Sequence, residues 1–431
     1  MNSILSFNDS YINKQINKNL FMLNDIINST GDIISNDAGS HSTDLEQLLT
    51  IAKKVAQKLD LSECVDISAL DNIHIPVYSI TCKDKSTLTI NYNNGKGITK
   101  KQAMASAYME YIERQSSRRQ PPTNLTSSYY DLCKKVNSFI VRPSDLITTY
   151  TSYIADTLPL NWTVAVNLLD FRTVLLPTIS VLYPYNGDAI PLFKNNTNGL
   201  ASGTTFLEAI VQGIYEVIER DCASIAMSTD TYRNVDINSI DSPKCQTLIK
   251  EFQNNSIDIY IKDISNELGI PCFSVSGDDL KNKNSLLLCG GHGCHSSKEI
   301  ALIRALTEME QARKTILYGK REDIKFMRPS TNPADDYIRI KRKYKNWFSN
   351  SNSESYKNIN TFHFENLKEE LNWLISNITS LGFSIFAVNL STFSEIPVVR
   401  VIIPGLENWN ENHERIGQRI YSTLQKKHNK S

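Results

Sequence analysis

The chain has 431 residues, enough for one large core or two to three sub-domains, with the 41% hydrophobic and 21% charged content of an ordinary globular protein. Its 46 Lys and Arg offset its 46 Asp and Glu, so no net field draws it to nucleic acid or to anionic lipid. The start lacks the basic cluster and apolar run of a secretory signal, and apolar stretches such as VVRVIIPGL stop far short of a membrane span. With eight dispersed cysteines, this predicts thiols in a reducing cytoplasm.

In chain order, residues 1–43 are polar and Asn/Ser-rich and predict a loosely ordered extension with a short helix around Leu20–Ile27. From Asp44, DLEQLLTIAKKVAQKL repeats apolar residues at helical spacing between an acidic start and a basic end. ISALDNIHIPVYSITC reads as a loop leading into a buried strand, and STLTINYNN alternates as a strand does. Gly95-Lys96-Gly97 is expected to break that strand, with Thr99 capping a helix over 100–118. Residues 137–193 are β-rich, their strands stopped by prolines. The loop KNNTNGLASGTT then opens a helix over about 205–225. NSLLLCGGHGCHSS reads as a strand running into a glycine loop, followed by the long helix KEIALIRALTEMEQARKTI.

The charged, Asn/Ser-rich stretch 330–365 is expected to be a surface insertion. A helix over 366–381, the strands FSIFAVNLS and PVVRVIIPG, and a helix over about 411–426 complete the chain. Strand, glycine-rich turn and acidic helix thus recur three times, which predicts an α/β fold with mixed sheets.

Two of these helices end alike. Glu110-Tyr-Ile-Glu113-Arg114 closes GKGITKKQAMASAYMEYIER, and Glu216-Val-Ile-Glu219-Arg220 closes NGLASGTTFLEAIVQGIYEVIER. An E-x-x-E-R pair puts two carboxylates ~60° apart on one helix face with a guanidinium at the edge. On the second helix Glu208 lies ~20° from Glu219. A solvated charged face would explain one such helix, but these glutamates are embedded in AIVQGIYEVI. Crowded carboxylates repel unless a cation neutralises them, and Mg²⁺ takes hard oxygen ligands together with phosphate oxygens. The pair therefore points to two halves that jointly hold a nucleoside triphosphate through Mg²⁺.

On the third helix Arg304, Glu308 and Gln311 share a face, with Arg313 rotated away. None of the three helices carries the E-x-x-H of a diiron site, and no G-x-x-x-x-G-K-[ST] is present. Cys289, His292, Cys294 and His295 crowd into seven residues, a spacing too tight for paired zinc knuckles, which reads instead as a strand end with a loop histidine. No Ser/His/Asp or Cys/His set stands out.

GKGITKKQAMASAYMEYIER, NGLASGTTFLEAIVQGIYEVIERD and HSSKEIALIRALTEMEQAR, in this order, resemble the three ATP-site segments of the YcaO family. LDNIHIPV before the first and GKRED (319–323) after the third belong to the same resemblance, which runs from about Asp66 to Glu407. It implies an α/β fold that binds ATP without a P-loop. A backbone amide would be activated by phosphorylating its oxygen after a nucleophile has added to its carbon.

By resemblance, Glu110, Glu113, Glu208, Glu216, Glu219 and Glu308 would hold Mg²⁺. Arg220, Gln311, Arg313 and the loop containing Ala201 and Thr204 would meet ATP. Thr204 stands where the family often has Asn. The catalytic domain would then span 44–431, with its core motifs in 66–323 and a C-terminal part over 366–431.

YcaO proteins that form azolines from Cys, Ser or Thr commonly end in a proline-rich tail. This chain has no proline after Pro404, and its Pro404-Gly405-Leu406-Glu407 resembles the ending of members that act with a TfuA-type partner in thioamidation. The resemblance therefore implies thioamide formation on a ribosomally made peptide or protein, with azoline formation as the alternative. A catalytically silent binding or regulatory protein is the third reading, against which every ligand position that can be placed is acidic. The implied partners are a peptide substrate, a TfuA-like or leader-peptide-binding protein and a second copy of the chain. Nucleic acid and membrane are not among them.

Overall fold

The structure, a computed structural model, describes residues 10–33, 41, 43–83, 90–120, 125–136, 139–319, 333–408 and 415–429. The first part of STLTINYNN (86–89), the end of GKRED (320–323) and the expected opening of the last helix (411–414) lie outside the described residues. The chain forms two compact units, each assembled from separate stretches of sequence: one from 35–111 and 230–363, the other from the residues up to 34, 112–229 and 364 onward.

In the first of these units, β1 (Glu63–Asp66), β2 (Val77–Lys83) and β3 (Ile90–Lys96) form an antiparallel sheet, preceded by helix α2 (Leu45–Lys58), whose N-cap is Asp44. A second sheet runs β12 (Gly290–Cys294), β11 (Cys272–Asp279), β10 (Ile257–Asp263), β9 (Arg233–Asp236) and β13 (Glu354–Ser355), antiparallel except for the last pair. Helices α7 (Pro243–Asn254) and α8 (Lys298–Leu317) pack with this sheet around Ile261, Phe273, Val275, Leu302, Leu306 and Met309.

The glycine-rich GGHGC is not a loop but strand β12 itself. A Cβ on Gly291 would stand 2.3 Å from the Met309 nitrogen, and one on Gly293 would stand 2.1 Å from the Ala301 oxygen. The missing side chains let α8 lie directly on the strand. Likewise β3 does not break at Gly95 but continues to Lys96. Without a Cβ there, the backbone of Ala103 and Ala107 in α3 (Lys100–Arg118) can come close. The start of α3 is a capping box. Thr99 Oγ1 accepts from the Gln102 N–H at 3.3 Å, while Gln102 Oε1 accepts from the Ile98 and Thr99 N–H groups.

Within 330–365, the described residues from 333 onward also contribute interior. Helix α9 (Pro333–Lys343) places Tyr337, whose hydroxyl donates to Asp278 at 2.6 Å, and Trp347 and Tyr356 are buried.

The other unit is built on one mixed sheet in the order β5 (Phe139–Ile140), β7 (Thr173–Pro177), β6 (Leu160–Asn167), β14 (Phe386–Asn389), β15 (Val398–Ile402) and β8 (Leu200–Ser202), with β4 (Thr126–Ser127) also on β6. Short helices α4 (Tyr129–Lys135) and α5 (Ser152–Thr157) lie between strands in sequence. β14 and β15 are buried along their whole length, as strands covered on both faces are.

Helix α6 (Phe206–Thr229) packs on β8 and β15, and it also contacts α10 (Leu367–Ser380) and α11 (Gln418–His428). It is buried almost throughout, its charged Glu208, Glu219 and Asp221 included. The short helix expected around Leu20–Ile27 is a 19-residue α1 (Ser10–Asn28). Its buried stripe of Ile12, Ile16, Met22, Leu23 and Ile26 faces β6 and β14.

Candidate functional site

All three strand–turn–helix repeats are present: β3 into α3, β8 into α6 and β12 into α8. The boundary between the two units falls within α3, so Glu110 is grouped with one and Glu113 with the other.

In the unit built on the seven-stranded sheet, Glu113 accepts the Ser202 N–H at 2.8 Å and the Ser202 hydroxyl at 2.7 Å. Glu208 accepts the Thr204 N–H at 3.2 Å and its hydroxyl at 2.6 Å. The segment after Leu200 therefore meets two of the expected glutamates through its amides and hydroxyls. Ala201, expected in a loop, lies in β8 and pairs with Val399.

Glu208 and Glu219 are buried, and Glu216 and Arg220 are half-buried. Arg220 Nη2 stands 3.9 Å from Glu219 Oε1. Arg400 on β15 was not singled out from sequence. It is buried, with Nε donating to the Ser180 carbonyl at 3.2 Å and Nη2 to Asn196 Oδ1 at 3.3 Å. Burial lowers its guanidinium to about 10, while the charge of Glu216 works in the opposite direction.

In the other unit, Lys96 pairs with Glu308, and the Gln311 side-chain amide donates to the Asn94 carbonyl of β3. Glu110 is half-buried. Arg313, expected to meet the nucleotide, pairs here with two carboxylates. It is buried, with Nε 2.9 Å from Asp71 and Nη2 2.8 Å from Asp279. Burial works against its charge, yet the two carboxylates hold its pKa above the ordinary value. Asp71 belongs to LDNIHIPV, so this segment locks the third motif in place.

Sequence reasoning thus missed Lys96 and Ser202 as contributing side chains. The glycines flanking Lys96 were the available signal for the first, and Ser202 sat within a segment already singled out.

The C-terminal Pro-Gly-Leu-Glu has a structural explanation. The carboxylate of Glu407 accepts the Gly417 N–H at 2.9 Å and the Ile420 N–H at 3.0 Å, at the start of α11. Asp221, next to Arg220, accepts the Glu407 N–H and a two-pronged contact from Arg419, all at 2.8 Å.

Among the described residues, no group of three or more His, Cys, Asp and Glu side chains is arranged to hold a metal ion. This includes Cys289, His292, Cys294 and His295. All eight cysteines are thiols. No helix among the described residues is long and apolar enough to cross a membrane. The carboxylates and hydroxyls assembled around α6 are hard oxygen donors, the type that Mg²⁺ takes.

Residues 94–407 match the family model described as YcaO cyclodehydratase, ATP- and Mg²⁺-binding. The chain belongs to the YcaO family. It is an ATP-dependent enzyme of that family, with ATP and Mg²⁺ as its cofactors. An uncharacterized protein of Methanothermobacter thermautotrophicus is 33% identical over 377 residues, covering 85% of this chain and 94% of that protein. An uncharacterized protein in the tfuA 3′ region of Rhizobium leguminosarum bv. trifolii is 25% identical, over 83% of this chain and 86% of its own length. The structure of YcaO from Methanopyrus kandleri bound with AMPPCP and Mg²⁺ superposes with a TM-score of 0.74. That match has 21% identity and covers 90% of this chain and 98% of the other.

Proposed function

We propose that this YcaO protein converts a backbone amide of a ribosomally made peptide or protein into a thioamide, using ATP and an external sulfide. The observation that carries this finer reading is the Rhizobium relative, which aligns with most of this chain and is named for its place beside tfuA. A TfuA-type protein is accordingly the expected partner, and a homodimer in a reducing cytoplasm is the expected state. The Pro-Gly-Leu-Glu ending lends less support, because Glu407 is already accounted for by the N–H groups it accepts.

In the proposed reaction, sulfide adds to the amide carbon, the amide oxygen takes the γ-phosphoryl group of ATP, and phosphate leaves as the C=S bond forms. Glu110, Glu113, Glu208, Glu216, Glu219 and Glu308 are assigned to Mg²⁺. Arg220, Gln311, Ala201 and Thr204 are assigned to the nucleotide, and Arg313 to holding Asp71. When bound, Mg²⁺ neutralises charge on the transferring phosphate. Ser202 and Thr204 would orient Glu113 and Glu208, and Lys96 would do the same for Glu308 through the pairs already described. No protein nucleophile is needed, since the leaving group is made by phosphorylation.

A second reading, azoline formation, is favoured by the family description as cyclodehydratase. Calorimetry of Mg²⁺-dependent ATP binding to wild type and to Glu219→Gln tests the site. The expected result is a loss of at least about tenfold, ~1.4 kcal/mol, in the variant. Equal binding by the two proteins would refute the metal assignment. Mass spectrometry of candidate peptides incubated with ATP, with and without sulfide, then separates the reactions. Exchange of oxygen for sulfur marks a thioamide, whereas loss of water without sulfide marks an azoline and overturns the first reading.

A further inference from the structure

A groove of about 710 Å³ lies in the unit built on the seven-stranded sheet, between α1 and the segment joining β14 to β15. Its volume falls within the ~300–1,000 Å³ typical of binding clefts. Lys14, Asn17, Lys18 and Phe21 line it from α1, together with Phe206 and Phe393. None of the lining residues is acidic. Phe21 is 63% exposed and meets Phe206 edge-on, with ring centroids 6.0 Å apart.

The wall is rigidly set. Gln15 Nε2 donates to the Asn389 carbonyl at 3.0 Å, the Asn389 N–H donates to Asn19 Oδ1 at 3.0 Å, and Asn389 Nδ2 donates to the Lys18 carbonyl at 2.9 Å. α1 also precedes residue 94, where the family match begins. The α1 wall thus lies outside the matched residues, whereas Phe206, the first residue of α6, brings the groove up to one of the acidic helices.

We propose that this groove docks an acidic, aromatic-bearing segment of the peptide substrate, distinct from the amide that is modified. The proposal rests on the reading of the protein as a peptide-modifying enzyme. Lys14 and Lys18, the latter donating to Gln120 Oε1 at 3.2 Å, complement an acidic segment. Among the described residues they outnumber the one carboxylate that touches the lining, Glu395 at 3.4 Å from the Ser394 hydroxyl. The exposed ring of Phe21 offers an aromatic side chain an edge to pack on. Burial, and after it the neighbouring charge of Lys14, lowers Lys18 to about 8, a cost that an incoming carboxylate would relieve. Amide and hydroxyl groups in the lining suit peptide N–H and C=O groups. Two cations are too few for the basic stripe that a phosphate polymer needs.

The test is fluorescence anisotropy with a labelled decapeptide of alternating glutamate and phenylalanine, and with its counterpart carrying lysine in place of glutamate. The proteins are wild type, the double variant Lys14→Glu/Lys18→Glu, and Phe21→Ala, with Mg²⁺–ATP binding measured on the same samples. The acidic peptide should bind wild type and lose at least about tenfold in affinity to the double variant, ~1.4 kcal/mol. Phe21→Ala should lose several-fold, and ATP binding should stay unchanged in both variants.

Absence of binding, equal binding of the lysine counterpart, or an affinity unmoved by charge reversal overturns the proposal. So does tighter lysine-dependent binding of oligothymidylate or of phosphatidylglycerol vesicles, which would assign the groove to nucleic acid or membrane. Failure of wild type to bind ATP, with peptide binding intact, would count against the parent reading and leave the groove standing.

Discussion

Glu310 and Lys314 lie one turn apart on α8, both buried, with Oε1 and Nζ separated by 3.0 Å. Lys314 also donates to the carbonyls of Ile73 and Ile75 at 2.8 and 2.7 Å, and Arg313 pairs with Asp71 and Asp279. Two cations thus face three carboxylates, so ionising Glu310 would leave a net negative charge in a dry interior. Burial accordingly pushes its carboxyl up to about 8, against the pull of Lys314. A folded pKa above the unfolded one stabilises the protein fully below the unfolded value, and the benefit is lost as pH rises through the folded value. Urea unfolding of wild type should therefore show declining stability as pH rises from about 4.5 to about 8, at ~1.4 kcal/mol per unit of pKa difference. Glu310→Gln should flatten that slope; identical slopes in the two proteins would refute the assignment. Helical spacing turned Arg313 away from Glu308, the family resemblance aimed it at the nucleotide, and neither assigned Glu310. α8 is apolar on several sides, and Asp71, which decides where Arg313 points, is 242 residues away.

Among the elements, the three acidic helices were legible. The capping box of α3 and the spacing of α6 and α8 place them within a few residues of their observed bounds. The glycine segments were misread for one reason: glycine marks a turn in a local reading, whereas here it marks close backbone contact with the helix that follows the strand and folds back onto it. Gly291→Ala tests this. Its Cβ would meet the Met309 nitrogen at 2.3 Å and the Ala305 oxygen at 2.4 Å, both backbone atoms that cannot rotate away. A loop would tolerate the change. On a strand under α8 it should destabilise by about 1–3 kcal/mol or more, the range for overpacking, with the loss read by chemical denaturation. A variant as stable as wild type would return this segment to a loop.

Each unit of the molecule joins stretches that are remote in sequence, so the division into an N-terminal extension and a catalytic domain was not one that local signals could check. α1 shows the consequence. The polarity of residues 1–43 suggested a loosely ordered arm, but two of the amides of α1 are used inside. Gln15 and Asn19 are buried, and Asn19 Nδ2 donates to the Val164 carbonyl of β6 at 3.0 Å while its Oδ1 accepts from the Asn389 N–H. Asn19→Ala removes the side-chain partner from both backbone groups, at about 1–3 kcal/mol for each group left unsatisfied. Deleting residues 1–28 should do more, because it strips Ile12, Ile16, Met22, Leu23 and Ile26 from the face they cover. The expectation is a graded series: wild type, then Asn19→Ala with a lower denaturant midpoint, then a truncated chain without a cooperative transition. Hydrogen exchange should be fastest at the β14 amides in the point variant. If the truncated chain instead unfolds at the wild-type midpoint, α1 is an appendage after all, and the groove it walls cannot be a fixed part of the enzyme.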